Sequence, residues 1–190
     1  MPQTIVLASQ SPRRRELLRN AGIPHIVRPS DIDESRIPGE SPRRYVNRLA
    51  AEKAGAANPS EGEIVLAADT VVVVDGEIFG KPEDTDDARR MLCALSGRDH
   101  VVITGICLVG GDESIIDDEE TRVHVLPLED EDIAAYIASG EPMDKAGAYG
   151  IQGLFSKYVE RIDGCYFNVV GLPVSLVWKH LSRIGPSLTA

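Results

Sequence analysis

Apolar positions along the chain fall into short segments that switch between two periods. Thr4–Ala8 (TIVLA) is an unbroken apolar run of strand length, and it leads into Ser9-Gln10-Ser11. From Pro12 the spacing becomes helical, with Leu17, Leu18 and Ala21 on one face and Gly22 at the stop. Ser11 is a natural N-cap, because its hydroxyl can accept from a first-turn amide that has no helical partner. Pro12 suits the first turn, where its missing N–H removes nothing. The same device recurs at Ser41-Pro42 and opens a helix through Tyr45, Val46, Leu49, Ala50 and Ala54. Strands are predicted over Ile64–Ala68 and Val71–Val74, then a turn at Asp75-Gly76 and a short strand at Ile78-Phe79.

Downstream, Asp84–Leu95 has helical spacing and ends at Ser96-Gly97. His100–Val109 and Ile115–Leu126 are strand-like and joined through Gly110-Gly111-Asp112, which predicts an antiparallel hairpin. Glu129–Ala138 is a fourth helix whose acidic first turn complements the helix dipole. Gly140–Gly153, rich in glycine and small residues, reads as a functional loop. Tyr158–Ile162 is strand-like, and Pro173–Leu181 closes the pattern as a helix with the Trp178 ring assigned to the core. Interleaved strands and helices around an all-strand stretch predict an α/β fold with a mixed sheet, in two lobes around a central cleft. No repeat or separable linker interrupts it, so residues 1–190 are taken as one domain.

Composition narrows the function. The 190 residues carry a net charge of −10, yet residues 1–60 hold 10 Lys/Arg against 6 Asp/Glu. A basic first third on an acidic chain is either a solvated helix face or a local site for an anion. The acidic remainder and only 5% aromatics argue against a nucleic-acid-binding module built on Arg13–Arg15 and Arg43-Arg44. No apolar run is long enough for a membrane span, and Met1-Pro2-Gln3 opens no signal peptide. Cys93, Cys107 and Cys165 are odd in number and widely spaced, which points to a reducing, cytoplasmic setting. Cys93 and Cys107 are expected in the core, and none of the four histidines has metal-ligand spacing.

The chemistry therefore lies in carboxylates and cations. A strand, a Ser-rich turn and a helix N-terminus at Ser9–Arg14 make an anion site from free amides, two hydroxyls and the forks of Arg13 and Arg14. Asp69, between two apolar runs, either caps a turn or holds a metal or a water. Lys81, between Gly80 and Pro82, is a surface turn residue or a phosphate ligand. Lys53 is a solvated helix lysine or a cation aimed at the site. In Asp144–Gly153, small residues allow close backbone approach, and Gln152 has the donor and acceptor needed to read a base edge.

Six motifs occur in order: SxSPRR at Ser9–Arg14, AADTVV at Ala67–Val72, GKP at Gly80–Pro82, LSGRDHxVxTG at Leu95–Gly105, DKAGAYGIQG at Asp144–Gly153 and NVVGLP at Asn168–Pro173. Together they closely resemble the Maf family of nucleotide pyrophosphatases, named for an effect on septum formation. The resemblance implies a fold of the Maf/inosine-triphosphatase type, a homodimer, and metal-dependent hydrolysis of a nucleoside triphosphate to the monophosphate and pyrophosphate. It assigns Asp69 as proton acceptor, and it places Arg13, Thr70 and Gln152 at the three positions that tune substrate choice. That combination is the one of the branch acting on dTTP and UTP. Ser9, Arg13, Arg14, Lys53 and Lys81 are then expected to bind the triphosphate, with Mg²⁺ or Mn²⁺ on Asp69 and Glu34. The expected role is removal of non-canonical nucleotides, with an effect on cell division. The competing reading is a regulator of septum formation that senses a nucleotide without turning it over.

Overall fold

The computed structural model describes residues 4–185. In chain order the elements are β1 (Thr4–Leu7), α1 (Pro12–Asn20), β2 (His25–Val27), α2 (Pro42–Ala56), β3 (Glu63–Val74), β4 (Glu77–Phe79) and α3 (Thr85–Leu95). They continue with β5 (Asp99–Gly110), β6 (Glu113–Val125), α4 (Asp130–Ala138), β7 (Val159–Asp163), α5 (Tyr166–Val170) and α6 (Val174–Ile184). The Ser11 and Ser41 caps are those the sequence predicts, whereas Asp84, expected as the first helical residue, caps α3 from outside it. Ser11 Oγ accepts from the Arg14 amide and Ser41 Oγ from the Arg44 amide, both at 3.4 Å. Asp84 takes the amides of Asp86 and Asp87 at the start of α3.

The fold is a mixed α/β arrangement with a seven-stranded sheet in the order β2-β1-β3-β5-β6-β7, β4 pairing with β3. β1 runs parallel to both β2 and β3, whereas β3 with β4 and β6 with β7 are antiparallel. β5 and β6 are sheet neighbours separated only by Gly111-Asp112, a connection that only an antiparallel pair can use.

Several expectations are corrected. The two strands predicted on either side of Asp69-Thr70 are one strand, β3, because the buried Asp69 carboxylate meets a lysine instead of capping a turn. β2 and α5, three and five residues long, are too short to show a period. Trp178 is exposed (44%), because α6 turns Val177, His180 and Leu181 inward and leaves the next position outside. Cys93 is also exposed: Ala88, Met91, Leu92 and Leu95 already fill the inner stripe of α3. The described cysteines are all unpaired.

The chain divides into two compact units. The first comprises the described residues up to Asp69, Thr104–Glu119 and those from Gly171 onward. Its core sets Ala50 and Ala54 of α2, and Ala57 just past its end, against Val6 and Ala8, Val65 and Ala67, and Cys107. The approach is close: a Cβ at Gly105 would lie 2.6 Å from the Val46 carbonyl carbon. The second unit comprises Thr70–Ile103 and Glu120–Val170. It packs α3, α4 and an aromatic cluster in which Phe155 meets Tyr136, Tyr149 and Tyr158, while Tyr149 Oη bonds His100 Nε2 at 2.7 Å.

Candidate functional site

The first unit assembles five of the residues singled out in the sequence. α2 presents Lys53 from its last turn, and β3 presents Asp69. Lys53 Nζ donates to Asp69 Oδ1 at 2.6 Å and lies 2.8 Å from Glu34 Oε1, so two carboxylates converge on one ammonium. Glu34 comes from an irregular segment stitched to α2, where Tyr45 Oη donates to the Glu34 carbonyl and Arg48 to that of Ser35. Arg48 is itself anchored by paired bonds to Glu40 at 2.8 Å.

On the other side of Asp69, the turn after β1 places Ser9 and α1 places Arg14. Arg14 Nε donates to the Gly171 carbonyl and its NH1 to the Ala68 carbonyl, both at 2.8 Å, and NH1 also reaches Ser9 Oγ at 3.3 Å. Arg14 is therefore more than a charge for an anion, since it clamps the backbone directly before Asp69. The sequence reading did not foresee the carbonyls of Ala68 and Gly171. Gly171 sits at φ 121° inside the NVVGLP motif, the one signal that could have marked it.

Electrostatics follow from burial. Asp69 is 8% exposed, and loss of solvent raises its carboxyl above the ordinary range, opposed by the charge and hydrogen bond of Lys53 and by Arg14. Burial likewise lowers the Arg14 guanidinium, with Asp69 opposing. The same site raises the Tyr45 phenol, through burial first and then the charges of Asp69 and Glu34.

Convergence on Lys53 also bears on a metal. Among the described residues no group of three or more His, Cys, Asp or Glu is placed to hold one, so no all-protein cage is built there. Two carboxylates on one point do fit Mg²⁺, which keeps waters and takes phosphate oxygens beside one or two carboxylates.

Arg13 is half-buried beside Arg14 on α1. The remaining singled-out residues belong to the second unit. Thr70 follows Asp69 on β3 and by strand alternation points to the opposite face. Lys81 is exposed between β4 and α3, and Gln152 is exposed in the glycine-rich segment. Those two segments are joined directly, the Gly147 amide donating to the Gly80 carbonyl at 2.9 Å. Gly147 has φ 69°, and a Cβ there would come within 2.7 Å of Val72 Cγ2, so the contact requires glycine.

The family model described as Maf-like protein matches residues 4–184, which spans every one of these positions. The chain belongs to the Maf family. It is 54% identical over 185 residues to a dTTP/UTP pyrophosphatase of Syntrophomonas wolfei, covering 96% of this chain and 98% of that protein. It is also 54% identical over 190 residues to a dTTP/UTP pyrophosphatase of Geobacter metallireducens, covering 97% and 99%. A solved HAM1 protein from Coxiella burnetii is similar at 21% identity and TM-score 0.48, over 79% of this chain and 88% of that one. No helix among the described residues of this Maf chain is long and apolar enough to cross a membrane.

Proposed function

We propose that the chain is a nucleoside triphosphate pyrophosphatase that cleaves dTTP and UTP to the nucleoside monophosphate and pyrophosphate. The observation that carries this is the pair of carboxylates on Lys53, Asp69 at 2.6 Å and Glu34 at 2.8 Å, beside the capped N-terminus of α1. It occurs in a chain 54% identical, over nearly its whole length, to relatives bearing that name.

In this reading Asp69 orients a water toward the α-phosphorus and accepts its proton. Burial favours that role, because a raised carboxyl lies nearer the working pH than a surface one. Lys53 holds Asp69 in place and, with Ser9, Arg13, Arg14 and Lys81, meets the triphosphate. Arg14 contributes chiefly its field and its hold on the Ala68 carbonyl, since Nε and NH1 already serve backbone acceptors. Mg²⁺ or Mn²⁺, held by Asp69 and Glu34, would neutralise phosphate charge and acidify a water. Gln152 reads the pyrimidine edge, Thr70 shapes the base pocket, and Arg13 is the third residue setting substrate choice. Within the same reading the protein is a cytoplasmic homodimer that clears unwanted pyrimidine triphosphates and thereby bears on cell division.

The test is pyrophosphate release from a panel of standard and modified nucleoside triphosphates with Mg²⁺ and with Mn²⁺. dTTP and UTP should be turned over faster than ATP and GTP. Binding of dTTP without pyrophosphate release would replace the enzyme by a nucleotide-sensing regulator.

A further inference from the structure

The segment that carries Gln152 is organised by a carboxylate on which the sequence motifs are silent. Gly150, Ile151, Gln152 and Gly153 form a turn closed by the Gly153 amide on the Gly150 carbonyl at 3.2 Å, with Gln152 at its third position. Both ends of this turn are tied to Glu141. Glu141 Oε2 accepts from the Leu154 amide at 3.0 Å, immediately after the turn, and Oε1 accepts from Tyr136 Oη at 2.9 Å. Tyr136 Oη in turn accepts from the Gly150 amide at 3.1 Å, immediately before Ile151 and Gln152. Lys145 Nζ fixes the Glu141 backbone by donating to its carbonyl at 2.6 Å.

Sterics close the frame. A Cβ at Gly153 would overlap the Glu141 carboxylate, and one at Gly150 would lie 2.6 Å from Lys145 Cε. Glu141 and Lys145 thus fill the space beside Gly153 and Gly150, the two ends of the turn. Tyr136 is 4% exposed, rooted in α4 and packed at a tilt against the Phe155 ring, so the frame is anchored in the core of the second unit. The Gln152 side chain, by contrast, is exposed and can meet a ligand.

We propose that Glu141, seated by Tyr136, is the positioning residue that sets base selectivity, by holding the turn on which Gln152 stands. This rests on the reading that Gln152 recognises the base. Glu141 touches no reacting atom, and its effect is on where the Gln152 amide is presented. A displaced recognition group weakens discrimination before it weakens chemistry.

The experiment compares kcat/KM for dTTP with that for ATP in the unaltered protein and in Glu141→Ala, Glu141→Gln, Tyr136→Phe and Gln152→Glu. Tyr136→Phe keeps the ring packed on Phe155, removes only the hydroxyl, and decides the matter by itself if Glu141→Ala does not fold. Glu141→Ala and Tyr136→Phe should each lower the dTTP/ATP ratio roughly tenfold or more, chiefly through KM for dTTP, with Glu141→Gln recovering part. Amide exchange over 148–154 should rise in parallel. A fall equal for both substrates, or an unchanged ratio, overturns the proposal. A ratio that moves with Gln152→Glu but not with the Glu141 and Tyr136 variants overturns it alone. A ratio that moves with Glu141 but not with Gln152 overturns the route through Gln152. A ratio near one in the unaltered protein overturns the base-reading role and the proposal with it.

Discussion

Replacing Lys53 by methionine removes one ammonium from two carboxylates in very different surroundings. Glu34 is 56% exposed at its side chain and can return to water, whereas Asp69, at 12%, cannot. Breaking such a pair at a buried site costs about 3–5 kcal/mol if the stranded charge persists. Asp69 has a way out: its carboxyl is already raised by desolvation, and Lys53 is the largest influence opposing that rise. Without Lys53 the carboxyl takes up a proton more readily, so the loss in stability at neutral pH should be nearer about 2 kcal/mol than the upper figure. In an Asp69→Asn background there is no charge to strand, and the same replacement should cost much less. Urea unfolding of the four members of the Lys53→Met/Asp69→Asn cycle should therefore give a coupling of about 1–3 kcal/mol. The sign with pH is fixed: as pH falls through the native pKa of Asp69 the carboxyl becomes neutral, and the coupling must shrink. Additivity within about 0.5 kcal/mol, or a coupling that grows on acidification, would refute this account of the site.

Four further outcomes are expected. Gly105→Ala should lower stability by about 3 kcal/mol, since the new Cβ meets backbone atoms of Val46 at 2.6 and 2.7 Å, and should impair activity through the displaced α2; a urea midpoint like that of the parent would contradict it. Arg14→Lys cannot reach the carbonyls of Gly171 and Ala68 with one fork, so we expect a loss of about 2 kcal/mol and a fall in kcat, both read in one purified variant. His100, 3% exposed, is pushed down to about 4 by burial, so the unfolded chain binds its proton first. Stability should then drop by about 3 kcal/mol between pH 6.5 and 4, a slope that His100→Gln should flatten. Glu63, held down to about 2 chiefly by its hydrogen bonds from Arg28, stabilises the fold above the ordinary carboxylate range and loses that effect as pH falls toward 2. The stability difference between the parent and Glu63→Gln should shrink over the same window.

Much of the fold was legible because its signals are local. Ser11-Pro12, Ser41-Pro42 and Asp84 begin helices through bonds made within one turn, and Gly111-Asp112 joins β5 to β6 without help from the rest of the chain. The misses share a cause in packing. β2 exists because β1 offers it an edge, not because His25-Ile26-Val27 has a pattern of its own, and two of its three residues are exposed. Trp178 and Cys93 are apolar residues on helices whose inner stripes were already full, so apolarity alone misplaced them. At the site, residue types marked Asp69, Lys53, Ser9 and Arg14 as candidates, but each kept an ordinary alternative until its partners were known.

By itself, then, the sequence determined the caps, the helix faces, the buried strands and the kinds of group available for chemistry, because these depend on neighbours a few residues apart. Tertiary structure decided what those groups do. It joined Lys53 to Asp69 and Glu34 across 16 and 19 positions of chain, turned Arg14 onto the carbonyls of Ala68 and Gly171, and gave Glu141 the turn that holds Gln152. Hydrogen bonds and ion pairs form between groups that come close in space, and closeness in space is the part of the answer that no local pattern carries.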